Sequence, residues 1–102
     1  MIFNDFNVIT IKASFLSLLV DIIEKEEISL SVNENSTIKD ILISLRKLLG
    51  KNFEVNIFNN KDELNKYIII GLNGKDIRNF DGLDTTIKDG DELSFLPAIA
   101  GG

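Results

Sequence analysis

Histidine, cysteine and tryptophan are absent from this 102-residue chain, and it has a single proline, methionine and tyrosine. Without histidine or cysteine it can build neither a His-based triad nor a thiol nucleophile, and it lacks the commonest ligands of transition metals. The missing cysteines also exclude a disulfide-stapled secreted scaffold, so a reducing cytoplasmic setting is expected. Basic residues are the minority: 11 Lys and Arg stand against 16 Asp and Glu, a net charge of −5. That balance argues against nucleic acid and anionic membrane as partners and favours a protein with a basic surface. Long apolar runs are missing too. Phe15 to Ile23, broken by Ser17 and Asp21, is too short for a membrane span and too far along the chain for a secretion signal.

What remains is enough for one folded domain. A hydrophobic content of 44% supports a core and excludes a disordered chain. Residues 1–6 read as a loose extension, 7–96 as the domain and 97–102 as a tail. From Asn7 to Phe15 the pattern alternates, with Ile9, Ile11, Ala13 and Phe15 on one face, as in a half-buried strand. Leu16 to Ile23 makes a short helix or turn. A second strand follows, with Ile28, Leu30 and Val32 inward, and the two strands form a hairpin with a long connection.

The plainest element is a helix. Thr37 is its N-cap, Asp40 completes a capping box, and Ile38, Ile41, Leu42, Leu45, Leu48 and Leu49 form one apolar stripe. Arg46 and Lys47 suit its C-terminal end, and Gly50 suits a left-handed cap. Residues 51–66 lack a clean period and read as an excursion with a short strand or one turn of helix. Tyr67 to Leu72 is a β-branched strand, Asn73-Gly74 a tight turn, and Glu92 to Leu96 the last strand, ended by Pro97. One helix on a mixed sheet of four to five strands makes an α+β domain. The first and last strands fit side by side in parallel at its centre.

Few motifs carry chemistry. Gly71-Leu72-Asn73-Gly74-Lys75 has the wrong spacing for a phosphate loop and no Ser or Thr after the lysine, so it reads as a hairpin turn. Asp89, Asp91 and Glu92 lack calcium-loop spacing and read as a solvated turn. Asn35-Ser36-Thr37 fits a glycosylation sequon, but that needs a secretory route. Gly101-Gly102 differs. Having no Cβ, glycine can enter a slot too narrow for any side chain, and the pair is expected to present a free carboxylate. Leu96, Pro97, Ala98, Ile99 and Ala100 before it are apolar, where a frayed tail is usually polar, which points to docking in a partner groove. From Leu96 the arm can reach at most ~20 Å.

The end Asp89-Gly90-Asp91-Glu92-Leu93-Ser94-Phe95-Leu96-Pro97-Ala98-Ile99-Ala100-Gly101-Gly102 resembles that of the ubiquitin-like sulfur carriers. These include the molybdopterin synthase small subunit, the thiamine sulfur carrier and the archaeal small modifiers. Leu72-Asn73-Gly74-Lys75-Asp76-Ile77 and Asp81-Gly82-Leu83-Asp84-Thr85 are also similar to that family. The likeness is strongest over 67–102 and fair over 7–50, and 51–66 is not clearly matched. Leu96-Pro97-Ala98 departs from the Phe-Pro-Pro common in bacterial small subunits, which leaves the particular partner open.

The resemblance implies a β-grasp fold and a chemistry. An activating enzyme would use ATP and magnesium to adenylate the Gly102 carboxylate. Sulfur would then displace AMP and leave a thiocarboxylate for a sulfur-acceptor enzyme such as the molybdopterin synthase large subunit. Alternatively, a target lysine would attack and form an isopeptide bond. The chain's length, greater than that of the minimal thiamine carriers, leans toward the modifier or dual-function branch. In either case it would be a carrier rather than an enzyme, binding no cofactor or metal itself. By strand alternation, Tyr67, Ile69 and Leu96 would form an exposed patch for a partner, unless residues 51–66 cover it. A non-covalent β-grasp adaptor with an incidental tail is the competing reading.

Overall fold

The computed structural model describes residues 7–98. β1 (Val8–Phe15) buries Ile9, Ile11, Ala13 and Phe15 and exposes Thr10 and Lys12, as its alternation requires. β2 (Glu27–Asn33) pairs with it antiparallel, from Val8 opposite Asn33 to Ser14 opposite Glu27. The connection holds α1 (Leu18–Ile23), which buries Leu19 and Ile23. β5 (Glu92–Pro97) lies parallel to β1, with Phe15 opposite Phe95. β3 (Ile68–Leu72) runs antiparallel to β5, and β4 (Lys75–Asp76) returns beside β3.

The sheet order is β2-β1-β5-β3-β4, the β-grasp arrangement, with the first and last strands adjacent at its centre. The β3–β4 turn is tight because both Asn73 (φ 51°) and Gly74 (φ 87°) sit in the left-handed region that a two-residue hairpin demands.

α2 (Ile38–Leu49) begins where the capping box places it. The Asp40 N–H donates to the Thr37 hydroxyl at 3.3 Å, and the Thr37 N–H donates to the Asp40 carboxylate at 2.9 Å. Thr37→Ala is expected to cost ~1 kcal/mol in urea melts followed by circular dichroism. Ile38, Ile41, Leu42 and Leu45 are buried against the sheet.

Two expectations about the end of this helix need correction. Leu48 is 57% exposed and lies outside the core stripe. Gly50 (φ 73°, ψ −144°) is not a left-handed stop but a joint: its N–H donates to Arg46 and its carbonyl accepts from Glu54, each at 3.0 Å. The chain turns there into α3 (Lys51–Ile57), and Phe53 and Ile57 continue the core in place of the last turn of α2. The expected excursion therefore begins as a seven-residue helix. It carries only one apolar i, i+4 pair on its buried face, too little to register as a helical period.

The remainder, 58–66, is a bonded loop. Phe58 bridges Leu64, and the Asn59 side-chain carbonyl accepts from the N–H groups of Lys61 (2.8 Å) and Glu63 (3.0 Å). Arg46 ties loop to helix. Its guanidinium donates to Asp62 at 2.8 Å and to Glu54 at 3.2 Å and lies 4.7 Å above the Phe58 ring. Those hydrogen bonds, Asp62 first, raise its already high pKa further. At the centre Phe15 stacks on Phe95 at 5.3 Å, and Phe53 meets both edge-on at 6.3 and 6.0 Å.

Candidate functional site

The site to be located is the origin of the C-terminal arm. β5 does not stop at Leu96: Pro97 is still paired with Ile68, and the Ala98 N–H donates to the Tyr67 carbonyl at 2.7 Å. Proline is accommodated because of what β1 does. The Leu16 N–H donates to the Phe95 carbonyl at 2.9 Å, and β1 then leaves the sheet for α1. Two residues on, position 97 turns its amide side toward that vacated space, so proline forfeits no ladder bond.

The described pairing therefore continues past Leu96 through Ala98. Ile99, Ala100, Gly101 and Gly102 lie outside the described residues, as does the expected extension 1–6. Measured from Ala98, four residues can extend at most ~14 Å, shorter than the reach counted from Leu96.

Around this origin the outer face of the sheet is apolar. Ile69 lies directly opposite Leu96, and both are half-buried. Tyr67, beside Ala98, is 55% exposed. Leu16 follows Phe15 in the parallel register and comes beside Leu96, 44% exposed. Tyr67, Ile69, Leu96, Leu16 and Ala98 thus form a band across β3, β5 and the end of β1, at the Ala98 end of the sheet. Segment 51–66 is on the other face, with Phe53 and Ile57 in the core and Phe58 and Leu64 packed against it.

Leu16 escaped the sequence reading because it was assigned to the connection after β1. Its signal was parity, since continuing the β1 alternation by one residue puts it outward. Away from the arm the same face is polar. The Ser14 hydroxyl donates to Glu92 at 2.6 Å, and Lys12 lies 3.6 Å from Glu27.

The acidic turn at the far end is occupied with backbone. Asp89 accepts from the Thr10 N–H at 2.8 Å. Asp91 accepts from the Lys88 N–H at 2.7 Å and from the Asn73 side chain at 2.9 Å. Among the described residues no three His, Cys, Asp or Glu side chains gather where a metal could sit, and no helix is long and apolar enough to cross a membrane.

Known proteins match this architecture. The profile of the ThiS family covers residues 16–102. A protein of Archaeoglobus fulgidus assigned as a sulfur carrier is 36% identical over 69 residues, 68% of this chain and 77% of its own. Small archaeal modifier protein 3 of Haloferax volcanii is 27% identical over 92 residues, 86% of this chain and 94% of its own. The solution structure of small archaeal modifier protein 1 from Methanosarcina acetivorans superposes with a TM-score of 0.79 at 30% identity, covering 94% of this chain and 99% of that one.

Proposed function

The chain belongs to the ThiS family, and from that membership we propose that it is a carrier whose Gly102 carboxylate is activated and handed on as an acyl group. The observation that carries this reading is that the family match runs through Gly102 itself. A carboxylate is a poor electrophile. Attack of its oxygen on the α-phosphorus of ATP, held with magnesium by an activating enzyme, releases pyrophosphate and gives an acyl adenylate. A sulfide-equivalent nucleophile then adds to the carbonyl and AMP leaves, so that a C–S bond replaces the C–O bond to phosphate.

This chain supplies no acid or base to those steps. Its part is geometric: β5 and the Ala98–Tyr67 hydrogen bond fix the chain at residue 98, four residues before Gly102, and the slim Gly101-Gly102 pair carries no side chain to hinder the carbonyl. In this role the protein is a co-substrate, and the acceptor of the sulfur is a second enzyme. A second reading is supported by the likeness to the Methanosarcina modifier. A lysine amine attacks the same adenylate, and AMP leaves as an isopeptide bond forms.

Intact mass after incubation with the cognate activating enzyme, ATP, magnesium and a sulfide donor tests both. Exchange of one oxygen for sulfur on Gly102 is expected. Mass appearing instead on lysine-bearing proteins selects the modifier. If neither product forms, and deletion of Gly102 leaves the cellular role intact, the non-covalent adaptor is the correct description.

The apolar band is the surface on which the activating enzyme would dock. Leu96→Asp is expected to lower kcat/KM for adenylation by at least ~30-fold, the size of an interface hot spot. Its thermal midpoint should fall by only a few degrees, since Leu96 is half-exposed. Steady-state pyrophosphate release beside a melting curve measures both. An unchanged kcat/KM would remove the band from the docking surface.

A further inference from the structure

β4 is only two residues long and pairs with Gly71 and Leu72. Upstream of them, Ile68–Ile70 has no strand neighbour on that side among the described residues. Antiparallel pairing sends successive backbone groups to alternate edges. The bonds from Ala98 N–H to the Tyr67 carbonyl and from Asn73 N–H to the Glu92 carbonyl set the phase. Odd-numbered residues of β3 therefore face β5, and Ile68 and Ile70 face the uncovered edge. The Ile68 N–H is taken by the Asn65 carbonyl at 3.0 Å. The Ile68 carbonyl and the Ile70 N–H point to the edge beyond the two-residue span of β4.

A groove of about 450 Å³ lies along this edge, lined by Leu64, Ile68, Ile70, Ile77 and Leu83, with Ala98 also on its wall. Its lining charges are Lys66, Arg78 and Asp76. Asp76 and Arg78 pair at 2.6 Å, which holds the Asp76 carboxyl below its ordinary pKa. Lys66 is exposed, with Nζ 5.2 Å from the Tyr67 ring and no carboxylate within ion-pair distance among the described residues. The groove is thus an apolar slot beside a free strand edge, with one cation in excess on a chain of net charge −5.

We propose that this edge takes an extended apolar segment of a partner protein, added as a strand beside β3 and carrying a carboxylate that meets Lys66. Strand addition draws affinity from main-chain hydrogen bonds and specificity from alternate side chains entering the groove. A second copy of this chain is a poorer occupant. Symmetric pairing of two β3 edges would offer Lys66 no free carboxylate from the other groove, because its one lining carboxylate, Asp76, is already paired with Arg78. The proposal is independent of the chemistry at Gly102 and is read without an activating enzyme.

The probe is the peptide acetyl-Asp-Ile-Val-Ile-Val-amide, titrated into the ¹⁵N-labelled full chain. Amide shifts are expected in residues 64–70 and 76–83. N-methylation of alternate peptide amides should weaken binding at least ~10-fold, because it removes ladder bonds and leaves the side chains in place. Lys66→Glu should weaken it similarly, and replacing the peptide's aspartate by lysine should restore binding to that variant. No shift at ~1 mM peptide, a Kd too weak to matter, overturns the proposal. So do shifts centred on Leu16 and Leu96, equal binding of the N-methylated peptide, an unaffected Lys66→Glu variant, or self-association of the chain through this edge.

Discussion

Gly101→Val is expected to lower kcat/KM for adenylation by at least ~100-fold while leaving the melting midpoint where it was. The two effects separate because the described core is built from residues between Ile9 and Phe95. None of those core side chains is changed by a substitution at residue 101. An activating site that must align a carboxylate oxygen with the α-phosphorus does depend on it. A branched Cβ next to the reacting residue widens the arm and restricts its backbone, and a misplacement of about 1 Å costs on the order of 10² in rate. Gly101→Ala should fall between wild type and valine. The measurement is ATP–pyrophosphate exchange at saturating ATP over a range of carrier concentrations. A valine variant that exchanges at the wild-type rate would mean that the slimness of the arm is irrelevant, and the carrier reading would lose its physical basis.

The largest stability effect is expected from Phe53→Ala, a loss of ~3–5 kcal/mol. Phe53 is fully buried and touches Phe15, Phe58 and Phe95 edge-on. Removing it opens a cavity where α3 meets the sheet and takes away three aromatic pairs. Against a typical domain stability of ~5–15 kcal/mol, that is enough to unfold a sizeable fraction of the protein at 37 °C. Val55→Ala on the exposed side of the same short helix should change stability by less than ~0.5 kcal/mol. Urea denaturation of both variants decides the matter. A loss under 1 kcal/mol for Phe53→Ala would mean that 51–57 is an appendage and not part of the core.

Those two residues also mark the two kinds of information in this chain. Wherever the apolar pattern was periodic and long, it was legible. The alternation of β1, the capping box of α2 and the Asn73-Gly74 turn all lie where the residues placed them, because each is set by contacts within a few positions. Strand order was compatible with β1 and β5 as parallel central neighbours but did not prove it; the pairing in the structure does.

Local pattern failed where the deciding contact was distant. Segment 51–57 has too little periodicity to announce a helix, and it becomes one because Phe53 and Ile57 have a core to enter. Leu48 fits the α2 stripe yet is exposed, because the chain turns at Gly50 and α3 takes over. Pro97 reads as the residue after the last strand and is instead its last residue, still paired with Ile68, because β1 has already left on the side its missing N–H would face.

The candidate site divides the same way. The slim apolar end was visible in the sequence, whereas the chemistry assigned to Gly102 came from the family resemblance and stands as a proposal. Tyr67, Ile69 and Leu96 were legible from alternation. Leu16, the pairing of Pro97 and Ala98 with β3, and the edge of β3 beyond β4 were not. Each depends on which strand stands beside which and where that neighbour stops, a relation between residues far apart in the chain. Sequence determined what the carrier can present; pairing in three dimensions decided from where and between which surfaces it presents it.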